Sequence, residues 1–282
     1  MAEPALRVGM VGYGYFAKFH LNAWQRLQNA SLVALAEANP DRRAEAGRDT
    51  PERDVFGTVE EMLGAGAIDI LDVATPPSTH LELIRPVLGH IPTVICQKPF
   101  CDNLLQAQAL ADAARDSSTQ LIIHENFRFQ PWYREIRQLL QAGRLGRVVQ
   151  ARFCFRPGDG AGPDAYLDPQ PYFGEPEALS ADLFRSNPVV AGEDSGSFTF
   201  QLADGARIIF DGNRTLDHAA TNRRLTMGEF LIEGTSASLR LSGDGVIEVR
   251  DFGSDIWQQH AYSFDDRVFG SDCVYLFQRH VL

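Results

Sequence analysis

The stretch GMVGYGYFAKFH, residues 9–20, runs from an apolar segment through two glycines into a sequence of helical period. It ends a short buried strand, LRVGMVG, and opens a helix whose apolar side repeats at Ala17, Leu21 and Trp24, with Leu27 beside them. Gly12-x-Gly14-x-x-Ala17 at such a junction has a mechanical meaning. Gly12 makes the tight turn, Gly14 lets the backbone approach a pyrophosphate, and a small residue at 17 lets the helix pack closely on the sheet. The helix then offers its first N–H groups to phosphate oxygens, which makes Tyr15 and Phe16 candidate contacts as well. A plain tight strand–helix turn fits the same pattern, so the next strand carries weight. SLVALAEANP ends in Glu37, twenty residues beyond Ala17. A carboxylate there accepts from both ribose hydroxyls of NAD and repels the 2′-phosphate of NADP. The alternative is an ordinary solvated residue at a helix start, and Arg42 and Arg43 close behind keep NADP open.

Outward from this stretch, apolar runs alternate with helical patterns. AIDILDVATPP, PTVICQKP and TQLIIHENF read as three further strands. DRRAEAGR, VEEMLGAG, THLELIRPVLGH (disturbed at Pro86) and LLQAQALADAAR read as the helices between them. Such alternation predicts an α/β, doubly wound parallel sheet. The pattern then changes. PWYREIRQLLQAG is one more helix, opened by Pro131 and ended by Gly143. Short strands follow with turns between them, including a hairpin about Ala203-Asp204-Gly205, and predict an antiparallel sheet. The boundary is placed near residue 126, giving a nucleotide-binding domain over 1–126 and an α+β domain over 127–282.

With 282 residues, 44% of them hydrophobic, the chain has ample core for two domains. A net charge of −11 excludes the basic face that nucleic acid needs. No apolar run reaches membrane-spanning length, and no signal pattern opens the chain. Four cysteines, at 96, 101, 154 and 273, show no metal-like spacing and read as reduced thiols of a cytoplasmic protein.

DILDVATPPSTH (69–80), VICQKPF (94–100), IIHENFRFQPWYREIRQLLQAGRLGRV (122–148) and GEDSGSFTFQLADGA (192–206) together resemble the Gfo/Idh/MocA family of sugar and inositol dehydrogenases. The resemblance implies a Rossmann domain followed by an open antiparallel sheet. It also implies hydride transfer between NAD(P) and a small polyol or sugar-like substrate. One face of the second sheet would line the substrate site, and the other would make homo-oligomer contacts.

Each candidate also has a physical reading. Thr75-Pro76-Pro77 leaves a strand at the carboxyl edge of the sheet, where ligands bind, and either stiffens a loop beside the cofactor or is a rigid strand exit. His80 either caps the following helix or faces the nicotinamide. Lys98, fixed by Pro99, either holds a substrate hydroxyl and helps its proton leave, or is a solvated strand-end lysine. The resemblance favours the first, with Gln97 standing where the family has Glu. Asn126 and Arg128 either contact the cofactor carboxamide or an anionic substrate, or brace the domain junction.

The departures come later in the chain. The family resemblance implies a helix bearing an Asp/Glu-x-Gly-x-His-like segment, whose histidine takes the carbinol proton. Here LDPQPYF is followed at once by GEPEALSADLF, as though a helix were cut out between Phe173 and Gly174, and no histidine stands between His124 and His218. His218 is the candidate for a replacement base. The apolar helix in GSDCVYLFQRHVL also stops early, and because the missing elements would cover the sheet or dock on the first domain, exposed apolar surface is expected. Two readings follow: a dehydrogenase with weak or lost activity, or a non-catalytic NAD(P)-binding protein acting as sensor or assembly partner. A methyltransferase with a similar glycine turn is disfavoured by Gln97-Lys98-Pro99 and the antiparallel half.

Overall fold

The computed structural model describes residues 4–159, 178–189, 193–263 and 271–282. Two compact units emerge, one of residues 4–130 with the C-terminal helix, the other of residues 131–263.

In the first unit the apolar runs become strands β1 (Leu6–Val11), β2 (Ala30–Ala36), β3 (Asp54–Phe56), β4 (Ile70–Val73), β5 (Thr93–Gln97) and β6 (Gln120–His124). All pair in parallel, in the order β3-β2-β1-β4-β5-β6. Between β2 and β4 the chain order reverses about β1, and the crevice of a doubly wound fold opens there. Helices α1 (Ala17–Arg26), α2 (Pro40–Asp49), α3 (Val59–Ala65), α4 (Pro77–Ile84) and α5 (Leu104–Arg115) connect the strands. Their starts follow local chemistry. Asn39 Oδ1 accepts from the amides of Asp41 and Arg42, with Pro40 in the first turn of α2. Thr58 and Glu61 form a capping box at α3. Pro86 ends α4 and turns it into a short 3₁₀ segment. The three-residue β3 was not expected, because it is too short to carry a period.

The second unit holds α6 (Pro131–Gln141) and eight strands: β7 (Val148–Phe155), β8 (Ala178–Phe184), β9 (Ser195–Gln201), β10 (Arg207–Asn213), β11 (Gly228–Gly234), β12 (Ala237–Leu241), β13 (Ile247–Asp251) and β14 (Gln258–His260). Their order is β14-β13-β12-β11-β7-β10-β9-β8. The expected wholly antiparallel sheet is corrected in one place: β7 and β10 pair in parallel, because the chain returns to the other side of β7 from β11. The hairpin joins β9 to β10, with Gly205 at φ +82° and its N–H on the Leu202 carbonyl. Trp132 and Ile136 of α6 pack with Leu145, Ile232 and Leu239 in this unit's core.

The last helix, α7 (Ser271–Val281), corrects one expectation. It packs with the first unit although its sequence lies beyond the second. Its apolar side is covered: Cys273, Val274 and Phe277 are buried against the core built around β1 and α1. Arg26 reaches Asp272 at 2.9 Å and lies over the Tyr275 ring at 4.1 Å. Exposed apolar side chains stand on the sheet at β8, at Leu179, Leu183 and Phe184. The Phe173–Gly174 junction lies outside the described residues.

His124, at the end of β6, is fully buried between the rings of His20 and Phe277, each 4.2 Å away between centroids. Neither of its ring nitrogens has a hydrogen-bond partner among the described residues. Burial, the largest cause, holds it well below the usual histidine value. The native state therefore does not bind a proton that the unfolded chain binds below pH ~6.5. Stability falls as pH drops through that value, from about pH 7.5 to about pH 5.5. In urea titrations at the two pH values, His124→Phe removes that part of the loss; equal losses in parent and variant would contradict the assignment.

Candidate functional site

A cleft of about 570 Å³ opens over the carboxyl ends of β1, β2 and β4. Gly12 forms its floor with φ +95°, and a Cβ there would lie 2.7 Å from the Ala74 carbonyl oxygen. Only glycine accommodates both the conformation and the approach. A Cβ on Gly14 would meet nothing within 4 Å. Ala17 is buried, as close packing of α1 on the sheet requires. No side chain caps α1 and no acid stands in its first turn, so its N–H groups remain for an anion. Phe16 lines the cleft, and Tyr15 lies on its rim, 78% exposed and edge-on to Phe19.

Glu37 is nearly buried and held from both sides. Oε2 accepts from the Tyr13 amide at 2.6 Å, and Oε1 from the Asn39 amide at 2.8 Å. Each oxygen keeps a lone pair for a hydroxyl. Arg43 is turned onto the Glu37 and Ala38 carbonyls, while Arg42 lines the cleft beside Glu37, Glu60 and Glu82. Thr75 and Pro76 form the opposite wall. Thr79 Oγ1, 2.8 Å from Thr75 Oγ1 and from the Pro76 carbonyl, fixes that turn. These features fit a dinucleotide: an open approach at Gly14 for pyrophosphate, an uncapped helix start, and an immobilised carboxylate just past the end of the next strand.

The other candidates stand elsewhere. His80 is buried beneath the wall, with Nε2 2.9 Å from the Thr75 carbonyl and Nδ1 2.9 Å from the Phe100 carbonyl, and so links the exits of β4 and β5. Gln97 is buried between His20 and the Lys98 amide. Lys98 is half-buried at the end of β5. Asn126 is buried, and its Nδ2 donates to Cys273 Sγ on α7. Arg128 is exposed, 5.7 Å from the Phe129 ring. In the second unit His218 is buried, with Nδ1 donating to the Arg156 carbonyl. Burial raises all four cysteine thiols, so none is a ready thiolate. Among the described residues no cluster of side chains could hold a metal, and no helix is long and apolar enough to cross a membrane.

Sequence reading missed the polar cluster under this edge. Asp72, fully buried in β4, accepts from His20 Nδ1 at 2.8 Å and Trp24 Nε1 at 2.6 Å. The signal was present: an aspartate inside the apolar run ILDV, and a histidine on the apolar side of α1.

Residues 6–125 match the family model described as an oxidoreductase family with an NAD-binding Rossmann fold, Gfo/Idh/MocA. This part of the chain is an NAD-binding Rossmann domain of an oxidoreductase. Through it the chain is similar to the Gfo/Idh/MocA family. Over 267 residues it is 28% identical to D-apiose dehydrogenase of Paraburkholderia graminis, spanning 86% of this chain and 69% of that one. It is 30% identical over 151 residues to inositol 2-dehydrogenase of Rhizobium meliloti, spanning 54% and 45%. Among solved structures it is similar to an oxidoreductase from Agrobacterium radiobacter in complex with NAD⁺, L-tartaric acid and magnesium. That match has TM-score 0.80 and 25% identity, over 98% of this chain and 87% of that one. Levoglucosan dehydrogenase in complex with NADH and L-sorbose shares the fold, with TM-score 0.79 and 20% identity over 98% and 88%.

The two glycines separate experimentally. Gly14→Val keeps its far-UV circular dichroism and loses at least about tenfold in NAD affinity by calorimetry, since its side chain occupies only the cofactor approach. Gly12→Ala loses about 1–3 kcal/mol of stability in urea, from strain against Ala74. A Gly14→Val protein that binds NAD like the parent would contradict the site.

Proposed function

We propose that this chain is an NAD-dependent dehydrogenase that moves hydride between the nicotinamide and a carbinol of a small sugar or polyol, with slow turnover. The observation that carries the reading is Glu37, fixed by two backbone amides at the ribose position of a cleft whose sheet edge also bears Lys98. The names of the relatives support the substrate class: D-apiose dehydrogenase is one, and levoglucosan dehydrogenase binds L-sorbose. The nicotinamide supplies hydride acceptance when bound. The chain's own part is to hold the dinucleotide through Gly12, Gly14, the start of α1, Glu37, Thr75 and Pro76, and to take up the carbinol proton. Lys98 is the group we assign to that proton.

The slow rate follows from the sequence. No histidine stands between His124 and His218, where the family resemblance implies a base. His218 does not replace it, because its Nδ1 is committed to Arg156 and its Nε2 is buried. Lys98 then takes up the proton without a histidine to relay it, and because a well-placed general base contributes about 10²–10⁴-fold, kcat falls below ~10 s⁻¹, the median for enzymes. The same gap favours a second reading, a non-catalytic NAD-binding protein.

Calorimetry with both cofactors is expected to give NAD binding at least about tenfold tighter than NADP, because Glu37 repels the 2′-phosphate, and Glu37→Ala narrows the difference. Equal affinities would point to Arg42 on the phosphate and overturn the preference. An absorbance screen for NADH with D-apiose, levoglucosan, L-sorbose and myo-inositol then tests catalysis. On any substrate found, Lys98→Ala lowers kcat about 10²–10⁴-fold and leaves NAD affinity within a few-fold. Full NAD binding with no turnover on any substrate selects the non-catalytic reading.

A further inference from the structure

The cluster beneath the carboxyl edge is a chain of hydrogen bonds whose direction is forced at every step. The Lys98 backbone N–H can only donate, so the group facing it at 2.7 Å is Gln97 Oε1. The Gln97 carboxamide then presents Nε2 to His20 Nε2 at 2.9 Å, and an amide nitrogen can only donate. His20 Nε2 therefore accepts, and its ring carries its proton on Nδ1, which points at Asp72 at 2.8 and 3.0 Å. Asp72 receives Trp24 Nε1–H and, at 3.4 Å, Gln278 Nε2–H from α7. All its partners are donors, as a carboxylate requires. His20 and Asp72 are wholly buried and Gln97 nearly so. Reversing the Gln97 amide would set donor against donor at Lys98, a fault that buried groups do not tolerate.

We propose that Gln97 is a positioning residue for Lys98, whose carboxamide fixes the Lys98 main chain on one side and the singly protonated, Nδ1–H form of buried His20 on the other. The identity of residue 97 then sets the number of protons on His20. In a Gln97→Glu variant the side chain, as a carboxylate, has no proton to offer His20 Nε2. Two lone pairs would face each other in a buried site unless the ring gained a second proton and stood as imidazolium between Asp72 and the introduced carboxylate. A leucine breaks the chain at both ends and leaves the Lys98 amide unheld. A misplacement of about 1 Å at a reacting group costs about 10²-fold in rate. The consequence for turnover rests on the role assigned to Lys98 above; the network itself does not.

The test uses the full chain labelled with ¹⁵N, at pH 7, with Gln97→Glu and Gln97→Leu beside the parent. Long-range ¹H–¹⁵N spectra of the parent show His20 protonated at Nδ1 alone, and Gln97→Glu shows both nitrogens protonated. With a substrate found by the NADH screen, Gln97→Leu loses about 10–100-fold in kcat with NAD affinity unchanged within a few-fold. Gln97→Glu, which still accepts from the Lys98 amide, keeps kcat within a few-fold of the parent. If no substrate turns over, the reading of Lys98 fails separately, and the Lys98 amide decides the proposal. Its proton lies downfield in parent and Gln97→Glu and moves upfield in Gln97→Leu. If Gln97→Leu does not fold, the parent and Gln97→Glu spectra decide alone. An Nε2–H tautomer in the parent, an unchanged His20 in Gln97→Glu, a Gln97→Leu protein with full kcat, or an unmoved Lys98 amide overturns it.

Discussion

A charge buried in β4 sets the terms for the first unit. Asp72 has no exposed surface, and an ionised carboxylate in such a place is tolerated only when its oxygens are filled by donors. The donors come from elsewhere in the chain: His20 and Trp24, one helical turn apart on the same side of α1, and Gln278 on α7. The carboxylate thus fixes how α1 lies on the sheet. Because α1 begins at the glycine turn, it also fixes where the helix start points at the cleft. β4 continues within three residues to Thr75 on the opposite cleft wall. The geometry of the cleft and the satisfaction of one buried charge are one constraint.

That constraint explains why α7 belongs to a unit so far from it in sequence. Periodicity shows that Val274, Phe277 and Gln278 share a side of a helix; it does not show what that side meets. Cys273, Val274 and Phe277 find the core around α1, and Asn126 bonds Cys273 across the same contact. The expected boundary near residue 126 therefore falls inside the first unit. Phe129 is buried there and packs on Phe277, and the second unit opens at Pro131, where the proline starts α6.

Much of the fold was legible because local chemistry and pattern agreed. Five apolar runs, the Asn39-Pro40 start and the Pro86 stop needed no long-range information. The cleft's residues come together for the same reason: Gly12, Gly14, Ala17 and Glu37 are spaced along one strand–helix–strand unit. His80, Gln97 and Asn126 were not legible as what they are. A polar residue at the carboxyl edge of a parallel sheet reads alike whether it faces a ligand or supports the residue that does. Only burial and partner identity separate the two, and here they give His80 to the Thr75 and Phe100 carbonyls, Gln97 to His20, and Asn126 to α7.

The cluster's proton count is as constrained as its geometry. Gln97 and His124 lie opposite each other on β5 and β6, so both histidine rings stack in the same buried space behind Lys98. His124 stays neutral there because burial disfavours its charged form. His20 accepts from Gln97 and so carries one proton. The space then contains a single charge, on Asp72, already met by three donors. A carboxylate in place of the Gln97 carboxamide would add a second charge and call a proton onto His20, beside a ring that cannot share it. A carboxamide is the polar group that bridges a backbone N–H and a neutral imidazole without adding charge, and here it does so beside a stacked histidine pair under the carboxyl edge of the sheet.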